Sequence, residues 1–348
     1  MKALSLKIMK RLVFLLGLSA LCGFSLFAQK QDVNTLRETA KTFTRQGDYP
    51  NAIVVLNRAI QVEPGNLEVL KELAFDYYLQ KNYSKAIETV KPLLDRKDAD
   101  PQCYQILGMN YQAIEEKKEC EKMYKQGIKR FPASGELYNE YGEMLWAKQD
   151  YDAIKLWEKG IESDPNYSSN YYNASKFYYF TLDKVWSLIY GEIFVNLESY
   201  SKRTPEIKAI LSDGYKKLFS DINLQKNQNN KNPFVSAYLA EMSKQASAVS
   251  TGITAETLMS LKGRFIVDWY AKNATKFPFR LFDYYQQLLK EGMFDAYNQW
   301  LFGSVQNLPA FQSWINLHTE EYNRFINFQK GRIFKLPPGQ YYRGLVSK

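Results

Sequence analysis

An all-α fold, a solenoid of stacked helical hairpins, is predicted by two observations. Four consecutive stretches repeat one residue pattern at a 34-residue pitch, and within each the apolar positions recur at helical spacing. Counted from the start of each stretch, large apolar or aromatic side chains fall near positions 4, 7 and 11. Small residues fall near 8, 20 and 27, and a proline near 32. A period of this length fixes architecture ahead of any local motif, because one such unit cannot bury its apolar face alone and must stack on the next.

The first 28 residues read as a secretory targeting segment rather than as fold. Lys10 and Arg11 precede an apolar core from 12 to 21, and Ala28 offers a small residue before a cut that leaves Gln29. Translation could start at Met1 or at Met9, which would give a more ordinary leader. Cys22 follows the core, but Leu21 stands where lipid attachment needs a small residue, so no lipid anchor is expected there. Export to the periplasm or an outer-membrane-associated site is the expectation. The mature chain then keeps Cys103 and Cys120, expected as free thiols.

The repeats follow in order. Repeat 33–66 carries Ala40, Phe43, the turn Gly47-Asp48-Tyr49, then Ala52, Leu56, Ala59 and Pro64. Repeat 67–100 places Ala74, Tyr77, Ala86, Val90 and Leu93 to match, with Asp98 in place of the proline. Repeat 101–134 has Tyr104, Leu107, Gly108, Tyr111, Cys120, Tyr124, Gly127 and Pro132. Repeat 135–167 lacks the turn glycine and is one residue short, then regains register at Ala153, Trp157, Gly160 and Pro165. A degenerate fifth unit, 168–200, has Tyr171, Ala174, Ser175 and Tyr178. Its second half, from Val185 to Leu197, is apolar nearly all round, as expected of a helix buried on several sides.

Small residues at positions 8 and 20 let paired helices approach closely. Aromatic residues at 4, 11 and 24 fill the space to the next pair, and proline ends the second helix because it lacks an N–H. This pattern resembles the tetratricopeptide repeat family, in its exported bacterial form, over roughly 33–200. The resemblance implies a right-handed α-solenoid that binds protein partners. It also implies that ligand contacts come from positions 2, 5, 9, 12 and 13 of each first helix. Those positions supply Arg37, Lys41, Thr44 and Arg45, then Lys71, Phe75 and Tyr78, then Met109 and Gln112. Further along they supply Asn139 and Trp146, and finally Tyr172 and Tyr179. The groove is thus expected to be cationic at its start, suited to a carboxylate or acidic segment, and aromatic further on. The tyrosines either line this groove or pack between helices; the sequence leaves both open.

Residues 201–348 read as a diverged helical region. Thr204-Pro205-Glu206, Pro233 and Thr254 with Thr257 mark helix starts. The repeat spacing returns at 278–311, with Tyr285 and Tyr297 where small residues belong, and a capping helix is expected over 311–332. The tail holds Arg324, Lys330, Arg332, Lys335, Arg343 and Lys348 among Phe334, Tyr341 and Tyr342. It is a candidate surface for an anionic or glycan partner.

The formal charge of +9 includes Lys2, Lys7, Lys10 and Arg11, and falls to +5 without the targeting segment. Residues 29–168 carry 20 basic and 23 acidic side chains, and 169–348 carry 22 and 14. No nucleic-acid recognition module is present, and no segment of the mature chain is suited to span a bilayer. No metal-ligand spacing, phosphate loop or nucleophile motif occurs, so neither a cofactor, a metal nor an enzymatic role is expected. The single histidine, His318, reads as structural. The sequence therefore points to an exported interaction scaffold, with glycan or cell-wall binding through the groove aromatics as the alternative.

Overall fold

The computed structural model describes residues 32–221 and 223–345; the expected targeting segment, Cys22 and both candidate start sites lie outside them. Helices make up the fold, with no strand among the described residues. The chain divides into two compact units, Met1–Ala99 and Asp100–Lys348.

The first unit is two hairpins. Helices α1 (Val33–Gln46) and α2 (Tyr49–Val62) form one, α3 (Leu67–Leu79) and α4 (Tyr83–Val90) the other. Gly47, at φ 78°, closes α1 in the left-handed region that a side chain resists. Asp48 then caps α2 by accepting from the Asn51 amide at 3.3 Å. Ala40, Ala52, Ala59, Ala74 and Ala86 are all fully buried, which is the close approach that the small-residue positions predict. Helix α4 is short because Pro92 has no N–H to continue it, and the chain tightens into the 3-10 turn Lys91–Asp95.

The second unit opens with two hairpins of the same kind: α5 (Pro101–Ala113) with α6 (Lys117–Arg130), and α7 (Gly135–Ala147) with α8 (Ala153–Ser163). Glycine is sterically required at their contacts. A Cβ on Gly108 would lie 2.4 Å from the Tyr124 ring, and one on Gly142 2.4 Å from Trp157 Nε1. Cys103 and Cys120 are both buried and are not joined in a disulfide, and burial pushes the Cys120 thiol up to about 11.

Helices α9 (Ser168–Tyr179), α10 (Lys184–Leu197) and α11 (Thr204–Leu218) continue the stack. Every residue from Val185 to Asn196 is buried, so α10 is enclosed on all sides as its composition predicts. It carries Glu192 into the core, where Lys262 Nζ pairs with it at 3.0 Å and Tyr215 donates to it at 2.7 Å. Lys262 comes from α13 (Ala255–Lys272), which Thr254 and Thr257 start with a reciprocal capping box. Between them lies α12 (Pro233–Lys244). Its Phe234 stacks on Tyr342 at 4.7 Å and meets Trp269, Phe277 and Phe279 edge-on.

The hairpin α14 (Arg280–Lys290) and α15 (Phe294–Asn298) holds the two misplaced tyrosines. Tyr285 and Tyr297 are both buried with ring centroids 5.6 Å apart, so aromatic rings fill the space that small residues would have closed. The second arm then loosens into the π-helical turn Gln299–Gly303.

Two expectations for the C-terminal region are corrected. The capping helix over 311–332 is two helices, α16 (Leu308–Leu317) and α17 (Thr319–Gly331), broken at His318. The basic, aromatic tail is not a free surface but packs back onto its own unit. Phe334, Leu336 and Tyr342 are buried, and Arg343 pairs with Glu158 at 3.2 Å and donates to the Tyr178 hydroxyl at 2.9 Å. Asn232 ties the strap down through the carbonyls of Tyr342 and Leu345, at 2.8 and 3.0 Å. Apolar burial and internal acceptors take up Phe334, Tyr342 and Arg343, while Lys330 and Lys335 stay exposed.

Candidate binding grooves

In the first unit α1 and α3 meet along one face. A cleft of about 280 Å³ is lined by Ala40, Lys41, Thr44, Arg45, Leu56, Glu72, Phe75 and Asp76. Its floor is apolar, formed by Ala40, Leu56 and the half-buried Phe75, which stacks on Tyr78 at 6.2 Å. The expected cationic end is neutralised from within. Arg37 donates to Glu72 at 2.7 Å and reaches Glu68 at 3.4 Å. Lys41 pairs with Glu38 at 2.8 Å and lies 3.6 Å from Glu72. Lys71 is buried and holds Glu68 at 2.6 Å. Arg45 alone among the four reaches no carboxylate in these contacts; it is exposed, with Nη2 3.3 Å from Thr42 Oγ1. Glu72, which does most of this, and the neighbouring Asp76 were missed in reading the sequence position by position. Their signal is an offset close to the pitch: Arg37 and Glu72 are 35 residues apart, Thr44 and Asp76 are 32 apart.

In the second unit the first helices α5, α7, α9 and α11 lie side by side in that order. Gln105 donates to Glu140 at 3.2 Å. Asn139, buried, donates to Glu143 at 3.0 Å, and Asn173 donates to both Asn139 and Glu143. Burial, with Glu143 and Glu136 nearby, pushes the Glu140 carboxyl up to about 7. Met109 is half-buried and Gln112 exposed.

The aromatic groove positions divide. Trp146 is 41% exposed and forms a cluster with Tyr151 and Phe177, at ring distances of 5.8 and 5.9 Å. Tyr172 and Tyr179 are instead engaged with α11. Tyr172 donates to Glu206, with the Arg203 guanidinium 4.8 Å above its ring. Tyr179 donates to Asp213 at 2.7 Å under the Lys217 ammonium, 3.9 Å from its centroid. Of the two roles left open for these tyrosines, the second-unit pair bridges helices.

His318 stacks on Trp314 with centroids 4.4 Å apart, and its Nδ1 lies 2.9 Å from the Trp314 carbonyl oxygen. Among the described residues no cluster of histidine, cysteine and carboxylate side chains has the form of a metal site. No helix there is long and apolar enough to cross a membrane.

The repeat period, the small-residue contacts and the ladder between first helices all meet in one sequence comparison. Residues 43–109 match the tetratricopeptide repeat family. Solved structures similar to the chain include those of MamA, at 20% identity over 51% of this chain and 93% of that one, with a TM-score of 0.34. YrrB, described as a TPR protein with an unusual peptide-binding site, is similar at 15% identity over 52% and 93%, with a TM-score of 0.34. TTC0263, a thermophilic TPR protein of Thermus thermophilus, is similar at 18% identity over 60% and 97%, with a TM-score of 0.30. No curated protein matches the chain in sequence. Tetratricopeptide repeats are interaction modules, and the matched segment contains Phe75 and Asp76 of the cleft.

Proposed function

We propose that this chain is an exported, non-catalytic scaffold whose tetratricopeptide repeats bind a protein or peptide partner in the cell envelope. The observation that carries the reading is the open cleft between α1 and α3, with an apolar floor under a polar rim. Such a surface offers a partner both an anchor and hydrogen bonds with no bond made or broken. Export rests on the basic, apolar and small-residue order of the first 28 residues.

Two measurements test the proposal. Phe75→Ala should abolish co-purification of the partner from an envelope fraction while leaving the circular dichroism unchanged. An unaltered partner set sinks the cleft assignment. For export, residues 1–31 fused to a reporter active only outside the cytoplasm should give activity; an inactive but stable fusion sinks that part.

A further inference from the structure

The cleft between α1 and α3 contains a carboxylate that its own surroundings leave half satisfied. Asp76 is 2% exposed yet forms part of the cleft wall. Among the described residues it has no ion-pair partner. Its oxygens meet only Thr44 Oγ1, at 2.9 and 3.1 Å. A hydroxyl has one proton to give, and Thr44 Oγ1 also lies 3.0 Å from the Ala40 carbonyl oxygen. One proton is thus shared among three acceptors, and the remaining lone pairs of Asp76 have no donor.

The charged neighbours do not make up the deficit. Arg37 is committed to Glu72 and Glu68, and Lys41 to Glu38 and Glu72. Arg45, on the rim, is exposed and turned to Thr42. Helix α2 gives the wall only Leu56, and on α3 the nearest charge, Glu72, is of the same sign. Burial pushes the Asp76 carboxyl up to about 6, outweighing the hydrogen bond from Thr44, and Glu72 adds a smaller push in the same direction. Near neutral pH a buried and uncompensated negative charge therefore faces the cleft.

We propose that the cleft is a subsite for one lysine or arginine side chain of a partner polypeptide. Its aliphatic stem would lie on Ala40, Leu56 and Phe75, and its charged end would donate to Asp76. The cleft volume of about 280 Å³ is below the roughly 300–1,000 Å³ of whole-ligand pockets, which suits one long side chain. Lysine and arginine are the side chains that combine an apolar stem with a donor tip. The face of Phe75 adds attraction for the cation. Residues 32–99, the described part of the unit that holds the cleft, carry 10 basic and 10 acidic side chains, so they set up no net charge against a basic ligand. The subsite is opposite in sign to the carboxylate-binding end expected from Arg37, Lys41 and Arg45.

The inference rests on the reading of the repeats as a peptide-binding surface, and one experiment separates the two. Labelled peptides of equal length, identical except for a central Lys, Arg, norleucine or Glu, are titrated against the full chain and against Asp76→Asn by fluorescence anisotropy. The Lys and Arg peptides should bind about ten-fold or more tighter than norleucine or Glu. Asp76→Asn should erase that preference and leave norleucine binding unchanged. Because it removes an uncompensated charge, Asp76→Asn should also melt at a higher temperature at pH 7.5. Tighter binding of norleucine or Glu, or a preference that survives Asp76→Asn, overturns the basic subsite while peptide binding stands. A lowered melting temperature marks Asp76 as structural and overturns it too. Failure of all four peptides to bind overturns both readings.

Discussion

Tyr179 donates its hydroxyl to Asp213 at 2.7 Å, across 34 residues of chain. The same offset relates Ser169 to Arg203, Tyr172 to Glu206 and Asn139 to Asn173. One pitch thus governs neighbours on the inner faces of α7, α9 and α11. It does so even though the residue pattern that announces it in sequence has faded by α11.

Tyr179 and Tyr215, which both donate to carboxylates, should differ in worth. Asp213 is 44% exposed, so Tyr179→Phe should cost less than about 1 kcal/mol. Tyr215 is buried and donates to buried Glu192, so Tyr215→Phe should cost roughly 1.5–3 kcal/mol. Urea unfolding of both variants checks this, and equal losses would contradict the burial argument.

Glu192 and Lys262 face one another in the core at 4% and 2% exposure of their side chains. Lys262→Met alone should destabilise the fold by roughly 3–5 kcal/mol, because it strands a buried carboxylate. Lys262→Met combined with Glu192→Gln should recover a large part of that loss. A double-mutant cycle in denaturant reads the coupling; additive losses would show that the two charges are independent.

Glu140 gives the second unit a pH dependence of known sign. Its carboxyl is raised from an ordinary 4.5 to about 7, chiefly by burial and then by Glu143. A carboxyl raised in the folded state favours folding when protonated. Its contribution is complete below the unfolded value and is lost as pH climbs through about 7. On acidification from pH 8 to 5 the wild type should therefore gain melting temperature relative to Glu140→Gln. Parallel pH profiles for the two proteins would refute the shift.

Gly142 is required by a contact rather than by backbone conformation. A methyl group there would meet Trp157 Nε1 at 2.4 Å, so Gly142→Ala should cost roughly 1–3 kcal/mol. Gly65 has nothing within 4 Å of an added Cβ, and Gly65→Ala should be neutral or slightly stabilising. Thermal unfolding distinguishes them, and a tolerant Gly142 would argue against the close α7–α8 approach.

Helix pairing was legible in the sequence because it depends on side-chain size at fixed positions, as Ala40, Gly108 and Gly142 show. The enclosure of α10 was legible because its apolar run leaves no polar face. Charge in the cleft was not. Arg37 and Lys41 read as free cations when taken along one helix. Their partner Glu72 lies one pitch away, at a position that the binding-face rule does not include. The tail misled for a related reason. Arg343, Phe334 and Tyr342 have the composition of an anion-binding surface, but Glu158 and the Phe234 cluster, far away in sequence, take them up. Asp76 gave no sign of its state, since burial without a counter-ion is a property of packing rather than of spacing.

The most direct test of the central claim is photo-crosslinking of the full chain in cells from a reactive side chain at position 75, on the cleft floor. A matched probe at exposed Arg58 on α2 is the control. A discrete protein adduct should form from position 75 and be absent from position 58. Equal labelling from both positions, or none from position 75, would contradict it.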